Sequence, residues 1–183
     1  MDKRTRSLVI AGITGALYAA LTMFLAPISY GAVQFRLSEA LCILPFFCPA
    51  TAVGLTIGCM FANLLSAAGI LDIVFGSLAT LLASVCVVWF GRNYRRTSML
   101  PGMMECILSC AMPVVFNGPI VGAVLALTLT PNSFWPGFWT FFFQVALGEA
   151  GVMFLIGIPL MRRLPKMAIF QRLFLGAVSE VSI

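Results

Sequence analysis

The chain has 183 residues, 61% of them hydrophobic and only 9% charged, with a formal net charge of +5 at pH 7 and a mean hydropathy of +1.06. A soluble domain carries about a quarter charged residues, so this chain has too little polar surface to cover itself in water. Histidine is absent, which removes the commonest metal ligand and general base together.

Apolar runs cover Leu8–Ile28, Ala50–Ala68, Ile70–Phe90, Met103–Thr130 and Trp135–Leu160. A helix rises about 1.5 Å per residue and the hydrocarbon core is about 30 Å thick, so roughly 20 apolar residues span it. The pattern predicts an all-α, multi-spanning membrane protein. Lys3, Arg4 and Arg6 before Leu8–Leu25 resemble the start of a secretory signal. That stretch outruns a typical signal core and no small-x-small cleavage site follows, so it reads as the first span. It carries two stripes of small residues at fourfold spacing, Ala11/Gly15/Ala19 and Gly12/Ala16/Ala20. Such stripes let another helix approach closely, either inside the fold or on a partner. The spacings "GLTIG" (Gly54–Gly58) and "GPIVG" (Gly118–Gly122) read as internal packing.

Leu37–Phe47 is too short to span alone and ends among Pro45 and Pro49. Charge decides whether it counts, because cytoplasmic loops collect Lys and Arg. All the basic residues except Arg36 fall in three clusters: Lys3/Arg4/Arg6, Arg92/Arg95/Arg96 and Arg162/Arg163/Lys166/Arg172. For these to share one side, an even number of spans must separate them, and this requires the short stretch to be one. The expectation is six helices, over 8–28, 36–48, 50–68, 70–91, 103–130 and 135–162, in one domain with both termini cytoplasmic. Irregular backbone in the second helix is tolerated where protein surrounds it. Residues 165–183 form a tail expected at the inner surface.

In lipid the polar residues become informative, since a charge near the bilayer centre costs at least about 2.5–3.5 kcal/mol and normally faces protein or water. Glu39 and Asp72 fall in the first turns of the second and fourth helices, near the outer end. Asn63 lies about 8 Å below the outer end of the third helix, Asn117 near the middle of the fifth, and Gln144 roughly 14 Å down the sixth. These groups could line one cavity open to the outside. Glu149, roughly 21 Å down, falls beyond it and reads either as bundle hydrogen bonding or as a protonatable site. Plainer readings stand beside these: acids favoured at helix N-termini, a local Arg36–Glu39 pair, and amides holding helices together. Trp135 and Trp139 suit the outer interface, Phe75 sits one turn below Asp72, and Glu105 near Arg92–Arg96 reads as a surface ion pair.

The cysteines show no CxxC spacing and mostly fall in expected spans, where a thiol behaves as a small hydrophobe; neither a metal site nor a disulfide frame is expected. No phosphate-binding loop of the G-x-x-x-x-G-K-[ST] type occurs, so ATP drive would have to come from other subunits. No catalytic cluster or cofactor motif is visible, and an enzyme has no support.

"YGAVQFRLSEAL" (Tyr30–Leu41) followed by Pro45-Phe46-Phe47, "GCMFANLLS" (Gly58–Ser66), "GILDIVFGSLATLLA" (Gly69–Ala83), "NGPIVG" (Asn117–Gly122) and "VALGEAGV" (Val145–Val152) together resemble the QueT family. The resemblance runs from the first helix to the sixth and ends at Pro165. It implies a substrate-binding subunit (S-component) of an energy-coupling factor importer for queuosine precursors, in the cell membrane. The partners implied are a transmembrane coupling subunit, docked through the small residues of the first helix, and two ATP-binding cassette ATPases; no nucleic acid is involved. The implied ligand is a 7-deazaguanine such as preQ1, preQ0 or queuine, bound near the outer side under the loop joining the first two helices. On that reading Glu39 and Asp72 supply two carboxylates, in either order. Asn63, Asn117, Gln144 and Arg36 make amide or cationic contacts, and Phe75 or Trp139 stacks on the ring. Rival readings are another vitamin-like ligand, a proton-coupled carrier in which Glu39, Asp72 or Glu149 titrates, and a membrane subunit that transports nothing.

Overall fold

The structure is a computed structural model, and it describes residues 2–30, 34–97 and 99–175. Within the motif quoted above, 31–33 lie outside the described residues, as do residues 176–183 of the tail. The described residues are helical with connecting turns and contain no strand. In chain order they form α1 (Lys3–Phe24), α2 (Ala26–Ser29), a 3₁₀ segment (Leu37–Ile43) leading into α3 (Leu44–Phe47), and α4 (Ala50–Ala62). Then come α5 (Ile70–Phe90), α6 (Arg92–Thr97), α7 (Met103–Leu129), α8 (Phe134–Val152), a π turn (Met153–Gly157), α9 (Ile158–Arg163) and α10 (Ala168–Phe170).

Four helical stretches are long and apolar enough to cross a membrane: Arg4–Phe24, Ile70–Phe90, Met103–Leu129 and Pro131–Lys166. Two others, Leu37–Phe47 and Ala50–Leu65, are shorter. Ala50–Leu65 falls short of its apolar sequence because the chain turns at Asn63–Leu65 and leaves the helix at Ser66. The outward surface is greasy: Leu8, Phe24, Ile70, Trp135, Leu147 and Leu155 are each at least 67% exposed. In water that would be an aggregation hazard, whereas in lipid it is the solvent-matched face.

Helices in lipid gain little from burying apolar surface against one another, so they associate by close packing. α1 lies against α4 through Ala11 and Gly15 on one side and Gly54 and Gly58 on the other. A methyl on Gly54 would run into the Ala11 backbone, with Ala11 C only 2.7 Å away, and one on Gly58 would come within 2.9 Å of Gly15 Cα. Gly122 does the same for α7 and α8, where a methyl would stand 2.9 Å from Phe142 N. The Ala11/Gly15 stripe is therefore used inside the fold, whereas Gly12, Ala16 and Ala20 stay exposed and Ala19 half-buried.

The short second helix is held from outside itself. α3 stops at Phe47, leaving carbonyls without helical partners. Arg95 donates to the carbonyls of Phe46 (2.6 Å) and Val88 (2.6 Å), and Gly91 is bare because a side chain there would strike the Phe46 carbonyl. Tyr94 and Phe170 pack edge-on against Phe47 at 5.2 Å, so α6 and the start of the tail close this end of the core. Glu105 differs from its expected role. Its carboxylate accepts from the Gly102 N–H (3.0 Å) and caps α7, with no ion pair to Arg92, Arg95 or Arg96 among the described residues.

Candidate functional site

The stretch Gln34–Glu39 turns inward. Gln34, Arg36, Ser38 and Glu39 are 8%, 5%, 0% and 1% exposed. Two glycines on α8 make room for it: a methyl on Gly148 would lie 2.9 Å from Gln34 C, and one on Gly151 would lie 3.0 Å from the Phe35 ring. Entering the 3₁₀ segment, the chain aims Ser38 and Glu39 at α1. Ser38 and Thr22 share a hydrogen bond of 2.5 Å. The Tyr18 hydroxyl donates to Glu39 Oε1, and the Cys42 thiol donates to Oε2 at 3.0 Å.

Arg36 lies beside Asp72, with Nη2 3.7 Å from Oδ2, and its guanidinium sits 5.2 Å from the centre of the Tyr30 ring. That separation gives charge attraction without a hydrogen bond. Asp72, in the first turn of α5, is wholly buried. Its backbone carbonyl accepts from Asn63 Nδ2 at 2.9 Å, which ties the end of α4 to α5. Gly76 clears the space between them: a methyl there would come 2.6 Å from Asn63 Nδ2 and 2.8 Å from Asp72 Oδ1. On the far side, Asn117 of α7 donates to Glu149 Oε1 of α8 at 2.6 Å, both residues being 4% exposed. Gly148 and Gly151, which flank Glu149 on α8, press against Gln34 and Phe35, so this turn of α8 lies beside the segment that carries Arg36 and Glu39.

The structure thus joins Arg36, Asp72 and Asn63 in one buried group and turns Glu39 to Tyr18 and Cys42. It pairs Asn117 with Glu149, which depth along the sixth helix had set apart, on the part of α8 that packs against the Gln34–Phe35 segment. Gln144 lies to one side, lining a cleft of about 230 Å3 with Tyr30, Gln34, Ser66, Leu125, Phe141 and Val145. Phe75 (43% exposed) and Trp139 (52%) face the surroundings, Trp139 within a run of ring contacts to Phe138, Phe142 and Phe143. Sequence reasoning passed over Tyr18 and Tyr30. Tyr30 begins the quoted motif and borders both Arg36 and the cleft, and that adjacency was the available signal. Tyr18 carried none, because its partner Glu39 is 21 positions away.

Several atoms in this region have no hydrogen-bond partner among the described residues: Arg36 Nε and Nη2, Asn63 Oδ1, both Asp72 carboxylate oxygens and Glu149 Oε2. Buried polar groups are nearly always paired, since an unmet one costs about 1–3 kcal/mol. A buried set with both donors and acceptors to spare is what a polar, hydrogen-bonding guest requires.

A lipid-matched helical bundle around such a set has the build of a membrane transport or solute-binding protein. The QueT transporter family model matches residues 8–166, and the chain belongs to that family, which is one of transporters and not of enzymes. A relative named queuosine precursor transporter QueT, from Lactococcus lactis subsp. cremoris (strain MG1363), is 42% identical over 92 residues, 49% of this chain and 54% of that protein. The match thus spans about half the length of that curated relative. No solved structure matches the chain.

Proposed function

We propose that this protein is the substrate-binding subunit of an energy-coupling factor importer and captures a queuosine precursor, a 7-deazaguanine, from outside the cell membrane. The proposal includes six membrane-crossing helices with both termini cytoplasmic, the two shorter ones shielded by their neighbours. It also includes a transmembrane coupling subunit and two ATP-binding cassette ATPases as partners. Family membership and the name of the Lactococcus relative support the ligand class. The absence of a phosphate-binding loop in the sequence supports separate ATPases.

The observation that carries the reading is the unmet hydrogen-bonding capacity at Arg36, Asn63 and Asp72. A guanine-like edge presents N–H donors and a carbonyl acceptor side by side. A carboxylate takes the donors and a guanidinium serves the carbonyl, by the bidentate logic that reads bases in nucleic acids. Tyr30, with one face toward Arg36, offers an aromatic surface beside that edge, and the Gln144 cleft offers an approach to it. The exposed Gly12/Ala16 face of α1, which shares an apolar groove with Ala19, Val53, Ile57 and Phe61 and continues to the exposed Ala20, is the proposed contact with the coupling subunit. Mass spectrometry of small molecules released from the gently purified protein tests the ligand class. A co-purifying 7-deazaguanine is expected; an unrelated vitamin or no ligand overturns the reading.

A further inference from the structure

Glu39, Asp72 and Glu149 are three buried carboxylates and Arg36 a buried arginine, and the oxygens of the three acids are not equivalent. An ionised carboxylate only accepts, and each oxygen seeks a donor. Glu39 has both oxygens engaged within the protein, by Tyr18 and by Cys42. Among the described residues, Asp72 has neither oxygen hydrogen-bonded and only a 3.7 Å charge contact with Arg36. Glu149 has Oε1 held by Asn117 and Oε2 unmet. Among the described residues, Arg36–Asp72 is the one ion pair these acids make. Arg36 therefore balances one acid, and Glu149 is left without a cation in direct contact.

Resting on the function proposed above, we infer that Asp72 and Glu149 are the two carboxylates that meet the ligand, and that Glu149 receives a positively charged amine on it. Glu39 is a positioning carboxylate that ties the 3₁₀ segment to α1. The geometry divides the work. Asp72, Arg36 and the unmet Asn63 Oδ1 share one side and read the planar donor–acceptor edge. Glu149, fixed by Asn117 and with Oε2 unmet, sits on α8 between Gly148 and Gly151, which pack against Gln34 and Phe35 next to Arg36, and takes the cationic substituent. A 7-deazaguanine bearing an aminomethyl group satisfies both ends. One bearing a nitrile satisfies only the edge-reading end.

Calorimetric titration of the full chain in nanodiscs with the aminomethyl and the nitrile 7-deazaguanine tests this, using Glu149→Gln, Asp72→Asn and Glu39→Gln. One charge-assisted hydrogen bond corresponds to about 10- to 100-fold in affinity. Wild type is expected to prefer the aminomethyl compound. Glu149→Gln should lose about 30-fold for that compound and stay within about threefold for the nitrile, which also reports that the variant is folded. Asp72→Asn should weaken both, and Glu39→Gln should leave both within about threefold, since an amide oxygen still accepts from Tyr18. Glu149→Asp, which keeps the charge, should retain part of the preference. Equal losses for both compounds in Glu149→Gln, or a selective loss in Glu39→Gln, overturn the inference and leave the proposed function standing. A wild type that binds neither compound overturns the proposed function, and the inference falls with it.

Discussion

Replacing Arg95 by alanine should loosen the end of the short second helix without touching the candidate site. Arg95 makes two 2.6 Å hydrogen bonds, to the carbonyls of Phe46 and Val88. A hydrogen bond to a charged group contributes about 1.5–3 kcal/mol, which would give about 3–6 kcal/mol for the two. The side chain is only partly buried, so water can reach the carbonyls it leaves, and we discount the loss to about 2 kcal/mol. For a chain of this size each kcal/mol moves the unfolding midpoint by about 2–4 °C, so the expected drop is about 4–8 °C. The protein carries its own reporters, since Cys42, Cys48, Cys59, Cys106 and Cys110 are buried thiols that a maleimide dye reaches only on opening. Labelling during a thermal ramp in detergent measures the midpoint. Cys48, one residue past α3, should label first in the variant. Arg95→Lys should recover less than half of the loss, because one ammonium cannot reproduce the planar fork that spans two carbonyls. A drop of under about 2 °C, or complete recovery with lysine, would refute the clamp.

Gly54→Ala should lower the same midpoint by an amount corresponding to about 1–3 kcal/mol of overpacking against Ala11. Gly12→Ala, with nothing within 4 Å of the added carbon, should leave it unchanged or raise it slightly; similar behaviour in both would argue against the α1–α4 contact. Gly148→Ala pushes back the strand of chain that carries Gln34 to Arg36 and should weaken ligand binding about tenfold, read by titration calorimetry. Ala16→Leu with Ala20→Leu, on the exposed stripe, should abolish uptake by the assembled transporter while ligand affinity in the isolated chain holds; unchanged uptake removes this face from the docking surface. Phe75→Ala and Trp139→Ala should each leave affinity within about twofold, as both rings face outward; a large loss in either would return it to the stacking role.

The helical membrane class was legible from composition alone, because roughly 20 apolar residues in a row have one use in lipid. The polar residues to watch were legible for the same reason: a bilayer makes hydrophilic side chains costly, so Arg36, Glu39, Asn63, Asp72 and Asn117 stood out against a greasy background. What one-dimensional reading missed involved direction and distance along the chain. Depth along an ideal helix separated Glu149 from the others, yet Asn117 reaches it from a different helix 32 positions away. Phe75 is one turn from Asp72 on the same helix and is still exposed, because three residues at 3.6 per turn leave it roughly 60° around the helix from Asp72, enough to bring the ring to the outer side.

Sequence by itself determined the solvent this protein lives in and the small set of side chains that must be hidden from it. Tertiary structure decided which of the two small-residue stripes on α1 was consumed by α4 and which stayed exposed. It also decided which carboxylate is already satisfied and which retain unmet oxygens. The cause in both cases is that hydrogen bonds and glycine-close contacts are made between helices: Glu39 meets Tyr18, Asp72 meets Arg36 and Gly15 meets Gly54 across separations that no local periodicity records.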